Sequence, residues 1–127
     1  MAEALFNNRV KDSGKFCASS CGLFADGSPI SHNAKLVLEE VGIDVSHLSR
    51  RIDKGLLENA DYIFGITENH ANSIISLFPE YADKVYAFPT NIADPYGCSV
   101  EVYRFCRDEI QKAVDLLIRF LEGENNA

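Results

Sequence analysis

The 127-residue sequence has none of the features of a membrane protein, an exported protein or a nucleic-acid-binding protein. No apolar run approaches the roughly 20 residues that a membrane-spanning helix needs. The N-terminus carries no basic segment followed by an apolar stretch, so we expect no signal peptide. Basic residues are few, since 12 Lys and Arg against 19 Asp and Glu give a formal net charge of -7. Such a surface repels nucleic acid and anionic lipid, and we expect neither as a partner.

Cysteine is also scarce, with four residues in a chain that is long enough to bury a core of its own. A chain of this kind does not depend on disulfides, so the cysteines are predicted to be thiols in a reducing cytoplasm. Internal repeats, linkers and low-complexity segments are absent from the sequence. We therefore expect one cytoplasmic domain over residues 1–127.

Helical and strand-like patterns alternate along the chain, which predicts an α/β fold with a parallel sheet flanked by helices. Ser31, Asp53 and Thr67 are good N-cap residues, and each is predicted to begin a helix. Further helices are expected over residues 1 to about 13 and after Ser99. The apolar positions of the helices that follow Ser31 and Ser99 recur at helical spacing: Ala34, Val37, Leu38 and Val41 in one, and Tyr103, Cys106, Ile110, Val114, Leu117 and Leu121 in the other.

Three strands are predicted, at Lys15–Ser19, Tyr62–Ile66 and Val85–Phe88. The second is a continuous apolar run, which is typical of a strand covered on both faces. Two aspects of this pattern are unusual. A small doubly wound domain has at least four strands, and here a helix comes first with no strand leading into it.

Asp94-Pro95-Tyr96 follows the last predicted strand and is the best candidate for chemistry. Proline fixes its own φ and biases Asp94 toward extended geometry, which would hold the carboxyl group at a defined angle. A carboxyl group held in this way could act as a general acid. The alternative is a structural turn, because Asp-Pro is common in turns.

Two segments together resemble the low-molecular-weight protein tyrosine phosphatase family, including its bacterial protein arginine phosphatase branch. They are the opening Met1-Ala2-Glu3-Ala4-Leu5-Phe6 and the Asp94-Pro95-Tyr96-Gly97 loop before a helix with Arg107-Asp108-Glu109. The resemblance implies a three-layer sandwich that lacks its first strand. In the family, a Cys-x5-Arg-Ser loop immediately precedes the segment that matches Met1, so the nucleophile and the phosphate-binding arginine would lie upstream of residue 1.

The resemblance also implies roles for individual residues. Asp94 would be the general acid, Tyr96 an aromatic wall beside the substrate, and Ser20 and His47 supports for the phosphate loop. The substrate would be a phosphorylated protein or a small phosphomonoester, with phosphotyrosine and phosphoarginine both open and the loop sequence leaning toward phosphoarginine. No cofactor and no metal are implied. We expect the chain as given to be inactive, because it lacks the nucleophile loop.

The cysteines are not expected to replace that nucleophile. Cys21 falls where the family has a small residue, and no basic residue follows it at the Cys-x5-Arg spacing. Cys17 and Cys21 form the only tight pair, whereas four-cysteine zinc sites have two such pairs, so buried structural thiols are the favoured interpretation. The arsenate reductase branch needs two resolving cysteines in the middle of the chain, and residues 22–97 contain none.

The implied loss of a central strand has a structural cost. It removes roughly four buried aliphatic side chains at about 2 kcal/mol each, and it opens a gap of about 9–10 Å between the flanking strands. We expect the Phe16–Ser19 segment to pair directly with Tyr62–Ile66, to detach from the sheet, or to pair with a second chain in a homodimer. An unfilled gap would leave backbone groups unpaired.

Three functional interpretations stay open. In the first, the chain belongs to a phosphatase whose gene begins at Met1 only because an in-frame stop or a selenocysteine codon interrupts the upstream frame. In the second it is a binding or regulatory protein with a degenerate phosphatase fold, and in the third it is a thiol or metal protein that uses Cys17 and Cys21. The DNA before the codon for Met1, phosphopeptide binding without turnover, and the zinc content would distinguish them.

Overall fold

The structure is a computed structural model that describes residues 1–22, 30–44, 50–90 and 92–126. Over these residues helices pack around a parallel two-stranded sheet, which confirms the predicted α/β fold. None of the described helices is long and apolar enough to cross a membrane. The elements are α1 (Ala2–Val10), α2 (His32–Glu39), α3 (Lys54–Asn59), β1 (Ile63–Gly65), α4 (Glu68–Leu77), a 3-10 helix (Pro79–Lys84), β2 (Val85–Ala87) and α5 (Val100–Asn126).

Three helices begin at the predicted N-caps. Ser31, Asp53 and Thr67 have extended backbone geometry and precede α2, α3 and α4. Each side chain accepts a hydrogen bond from the backbone N–H three residues further on, at 3.3, 2.8 and 3.2 Å respectively. These caps satisfy backbone donors that a helix leaves unpaired in its first turn.

The sheet contains β1 and β2, which are parallel, with Ile63 opposite Val85 and Gly65 opposite Ala87. Successive side chains of a strand point to opposite faces. Ile63 packs with α3 and α4 in one core cluster, whereas Phe64 packs against the cluster formed by α1 and α5. The apolar run is therefore covered on both faces, as its sequence predicted.

The long α5 helix carries the buried stripe that its spacing predicted. The six predicted stripe residues of α5 are all buried: Tyr103, Cys106, Ile110, Val114, Leu117 and Leu121.

The buried face of α2 differs from the prediction at its end. Val41, predicted to lie on that face, is 48% exposed, because α2 ends at Glu39 and the chain turns there. Gly42 follows with a φ of 81°, a conformation that suits glycine.

The strand predicted at Lys15–Ser19 is not formed, so the described residues contain two strands rather than three. The side chain of Asn7 on α1 binds this segment instead. Its Nδ2 donates to the Ala18 carbonyl oxygen at 2.9 Å, and its Oδ1 accepts from the Ala18 N–H at 2.7 Å. The Ala18 backbone groups are thus paired with an asparagine side chain and not with a neighbouring strand. The direct pairing with Tyr62–Ile66 that was one of the expected outcomes is not formed.

Among the cysteines, only Cys106 is buried; Cys17, Cys21 and Cys98 are exposed, and all four are free thiols. The prediction of buried structural thiols is therefore wrong for three of them. For Cys17 the reason is that its segment is not a covered strand. Within the described part of the chain, no group of three or more His, Cys, Asp or Glu side chains could hold a metal ion.

Helices α2 and α5 are joined by ion pairs around Glu40. Arg104 Nη2 lies 2.6 Å from Glu40 Oε2, and Arg107 Nη1 lies 2.8 Å from Glu40 Oε1. Arg107 is 9% exposed and also donates to the carbonyl oxygen of Val37 at 2.9 Å. The hydrogen bond from Arg104, together with that from Arg107, lowers the pKa of Glu40 from 4.5 to about 2.

We expect Glu40→Gln to destabilise the protein at neutral pH. Because the pKa of Glu40 is lower in the folded state, its stabilising effect is present above pH 4.5 and is lost as the pH falls through about 2. Thermal unfolding of the wild type and the variant should therefore differ at neutral pH and converge on acidification. Glu39→Gln, at an exposed neighbouring position, is the matched control. A difference that did not change with pH would contradict this assignment.

Candidate active site

Asp94 lies on a tight turn between β2 and α5. One carboxylate oxygen, Oδ1, accepts a hydrogen bond from the Tyr96 N–H at 3.0 Å. The Cys98 N–H donates to the Pro95 carbonyl oxygen at 2.9 Å, and Gly97 has a φ of 77°, as a type II turn requires. The side chain is exposed, so the turn fixes the carboxyl group while leaving it accessible to a ligand.

The first turn of α1 lies beside this loop. Cys106, on the buried face of α5, donates from Sγ to the carbonyl oxygen of Ala93 at 3.6 Å. Burial raises the pKa of the Cys106 thiol, the Met1 amino group lowers it, and Asp94 raises it further. Burial also lowers the pKa of the Met1 amino group. Met1 packs against the core cluster that contains Cys106 and Ile92, so the first turn of α1 and the chain just before Asp94 meet at the same part of the core.

The first turn of α1 and the Asp94 loop together offer an anion-binding group and a proton donor. The N-terminal end of a helix carries a partial positive charge and favours anions. The first turn of α1 has Met1 at the N-cap position and no side-chain cap in the described structure. Asp94, on the neighbouring loop, can supply or accept a proton. A helix N-terminus beside an accessible carboxyl group is suited to binding an anion such as a phosphoryl group and protonating its leaving atom.

An open groove of about 470 Å³ lies next to the Asp94 loop. Its lining residues come after the carboxyl ends of β1 and β2 in the chain. This is the end of the sheet at which ligands bind in open parallel α/β folds. One wall is the beginning of α4 and the other is the chain just before Asp94. The lining residues are Thr67, Glu68, Asn69, Ile92 and Ala93.

The other predicted site residues have different positions. Tyr96 is 82% exposed, so it does not serve as loop packing. Ser20 donates from Oγ to Glu3 Oε1 at 3.3 Å, and its carbonyl oxygen accepts a hydrogen bond from Arg50 Nε at 3.1 Å. Ser20 therefore lies at the first turn of α1, as does the site. His47 lies outside the described residues.

Arg104 follows Cys98 at the Cys-x5-Arg spacing, which was not among the predicted site features. However, the chain between them enters α5, which at about 1.5 Å per residue separates the two residues along the helix. Arg104 binds Glu40, and the Cys98 carbonyl oxygen accepts from Asn33 Nδ2 at 3.2 Å. The spacing does not form a phosphate-binding loop here.

Comparison with known proteins gives consistent matches. Residues 1–127 match the family described as low molecular weight phosphotyrosine protein phosphatase. The chain is 35% identical to a protein-arginine-phosphatase of Geobacillus stearothermophilus, with 98% of this chain and 88% of the relative covered. It is 30% identical to the protein-arginine-phosphatase of Bacillus subtilis, with 98% and 89% covered. The solved structure of the arginine phosphatase from G. stearothermophilus superposes with a TM-score of 0.90 at 36% identity, covering 97% of this chain and 84% of that one.

Proposed function

The chain belongs to the low-molecular-weight phosphotyrosine protein phosphatase family, and from this premise we propose that it contributes the general acid to the hydrolysis of phosphorylated protein side chains. Asp94 is that acid. The observation that carries the proposal is that the Asp94 turn and the first turn of α1 meet at one part of the core: Cys106 donates to the carbonyl oxygen of Ala93, and Met1 packs against the core cluster that contains Cys106 and Ile92.

In the proposed reaction a thiolate attacks phosphorus while the bond to the leaving oxygen or nitrogen breaks. Asp94 gives its proton to the leaving atom, and its carboxylate then takes a proton from the water that hydrolyses the phosphocysteine. The N-terminal end of α1 stabilises the negative charge of the phosphoryl group. Tyr96, exposed on the same turn, flanks the substrate.

The nucleophile of this reaction is not among residues 1–127. No basic residue follows Cys17 or Cys21 at the Cys-x5-Arg spacing, and Cys98 and Arg104 are separated along a helix. We infer that the thiolate and the phosphate-binding arginine come from residues outside this range. The alternative is a phosphatase-like binding or regulatory protein, which the absence of a side-chain cap on the first turn of α1 would suit.

The purified 127-residue chain should show no turnover of aryl phosphates or phosphoarginine above background, because none of its four cysteines has an arginine at the Cys-x5-Arg spacing within a loop. The protein-arginine-phosphatase of G. stearothermophilus, assayed in parallel, is the positive control. Turnover that Asp94→Ala abolishes would show that these residues carry a nucleophile after all. Saturable binding of a phosphopeptide without turnover would favour the binding or regulatory alternative.

Phosphoarginine is the proposed substrate class. The two relatives described above are both named protein-arginine-phosphatase, at 35% and 30% identity over nearly the whole chain. An active phosphatase that contains residues 1–127 should have a higher kcat/KM for phosphoarginine peptides than for phosphotyrosine peptides, and the opposite preference would contradict the assignment.

A reducing cytoplasm is the proposed compartment, which the four free thiols support.

A further inference from the structure

The long helix α5 carries a second apolar stripe, which is exposed. Its positions recur three or four residues apart, so they lie on one side of the helix over about five turns, or about 27 Å. The exposed apolar members are Val102, Phe105, Leu116 and Phe120, of which Phe105 is the most exposed, at 67%. Apolar side chains that lie together on a surface mark a contact site, whereas single exposed ones are ordinary.

Glu109 and Lys112 occupy the two central positions of this exposed stripe. They form an ion pair with each other, with Lys112 Nζ 3.4 Å from Glu109 Oε1. Two apolar positions precede this pair and two follow it. The order of residue types along the stripe is therefore symmetric about positions 110–111, with one charge of each sign at the centre.

The neighbouring helices bind α5 on a different side. Arg104 is paired with Glu40 at the end of α2. Asp115 is paired with Arg9 of α1, at 3.1 Å. These contacts hold α1 and α2 away from the exposed stripe, which stays accessible along its length.

The Phe120 end of the stripe is anchored on the sheet. The ring of Phe120 lies edge-on to Tyr62, with centroids 6.2 Å apart, and 6.0 Å from the ring of Tyr86. Phe120 and Tyr86 are nevertheless both exposed in part. A ring that is already held in place loses little freedom when a partner binds it, which favours association.

We propose that the exposed stripe is the contact surface of a homodimer, in which α5 packs antiparallel against α5 of a second copy around a two-fold axis near positions 110–111. In a two-fold contact, positions at equal distances from the axis face each other in both directions. Glu109 then faces Lys112 of the partner subunit. Phe105 faces Leu116 of the partner subunit, and Val102 lies near Phe120 of the partner subunit.

The symmetry of the stripe favours a second copy over an unrelated partner. A two-fold contact needs a surface that complements itself, and here apolar positions meet apolar ones and the carboxylate meets the ammonium group. The formal net charge of -7 opposes association of two copies, but the stripe itself contributes one charge of each sign, and their pairing across the axis is attractive. This contact leaves the edge of β1 untouched and does not depend on the proposed catalytic role.

Sedimentation velocity of the full 127-residue chain tests the dimer, over a dilution series from about 1 μM to about 1 mM, which spans weak to moderate affinities. We expect a reversible monomer–dimer equilibrium. Phe105→Ser should raise the dissociation constant by about ten-fold or more, because an aromatic anchor is lost from both copies. Leu77→Ser removes another exposed apolar side chain, at the end of α4, and is the matched control that should not change it.

Charge reversal tests the antiparallel register. Glu109→Lys leaves two positive charges at the centre of the stripe and Lys112→Glu leaves two negative ones, so each variant should dimerise more weakly than the wild type. An equimolar mixture of the two should form a heterodimer, and the double variant should recover the homodimer. Glu122→Lys makes the same change of net charge at an exposed position on another side of α5 and should not weaken the dimer.

Three results would overturn the proposal. The first is a chain that stays monomeric throughout the series, as expected if the stripe serves a different protein. The second is a dimer that Phe105→Ser leaves unchanged, because its contact would then lie on another surface, such as the edge of β1. The third is a mixture of Glu109→Lys and Lys112→Glu that forms no heterodimer.

Discussion

A chimera that carries a family strand and its Cys-x5-Arg-Ser-Pro loop in front of Met1 should hydrolyse aryl phosphates, and Asp94→Ala should slow it by about 10²–10⁴-fold. The loop would lie at the first turn of α1, where the helix N-terminus stabilises the phosphoryl charge. The carboxyl group of Asp94, fixed by its hydrogen bond from the Tyr96 N–H, would be next to the leaving atom. Its removal leaves the leaving group without a proton donor.

Two comparisons make this experiment specific. The loss should be larger for phenyl phosphate than for 4-nitrophenyl phosphate, because a poor leaving group depends more on protonation than a good one. Asp83→Ala changes another exposed aspartate, in the 3-10 helix before β2, and should leave the rate unchanged. If Asp94→Ala has no effect on either substrate, Asp94 is not the acid.

Much of the fold could be predicted because its determinants are local. The caps Ser31, Asp53 and Thr67 act on backbone groups three residues away, and each begins a helix in the structure. The stripe on α5 is a property of helical spacing alone, and all of its predicted members are buried. Features that depend on neighbouring residues or on a strong periodicity can be predicted from the sequence.

The segment at Phe16–Ser19 shows where this approach fails. Its residues have strand-like composition, but a strand exists only when a neighbour pairs with it. In the structure the side chain of Asn7 binds the Ala18 backbone. The two residues are 11 positions apart in the chain, and no local sequence pattern predicts their contact. The incorrect burial of Cys17 follows from the same error, because a residue on an uncovered segment is exposed.

The candidate site was also predictable only in part. The Asp94 turn could be predicted, since proline and glycine at fixed positions specify it. The placement of that turn beside Met1 was not, because it depends on how Cys106 on α5 contacts Ala93. Cys98 and Arg104 have the spacing of a phosphate-binding loop, but the chain between them enters α5 and does not form such a loop. A spacing predicts a site only together with the backbone that it requires.

Gly65 is a position whose importance the sequence did not indicate, since it lies within an apolar run. A Cβ atom at this residue would lie 2.5 Å from the backbone nitrogen of Ala71 and 2.9 Å from its Cα. These are main-chain atoms of α4, which cannot rotate out of the way as a side chain can. Glycine is therefore needed here for the close approach of α4 to the end of β1.

We expect Gly65→Ala to lower the free energy of unfolding by about 1–3 kcal/mol, the usual cost of forcing extra atoms into a packed region. Gly123→Ala is the matched control, because the same methyl group placed on α5 meets nothing within 4 Å. There the substitution should be neutral or should stabilise by up to about 1 kcal/mol, since alanine favours helix over glycine. Urea unfolding of both variants measures the two effects, which should have opposite signs. Equal stability of Gly65→Ala and the wild type would mean that α4 does not lie against β1 as closely as the structure places it.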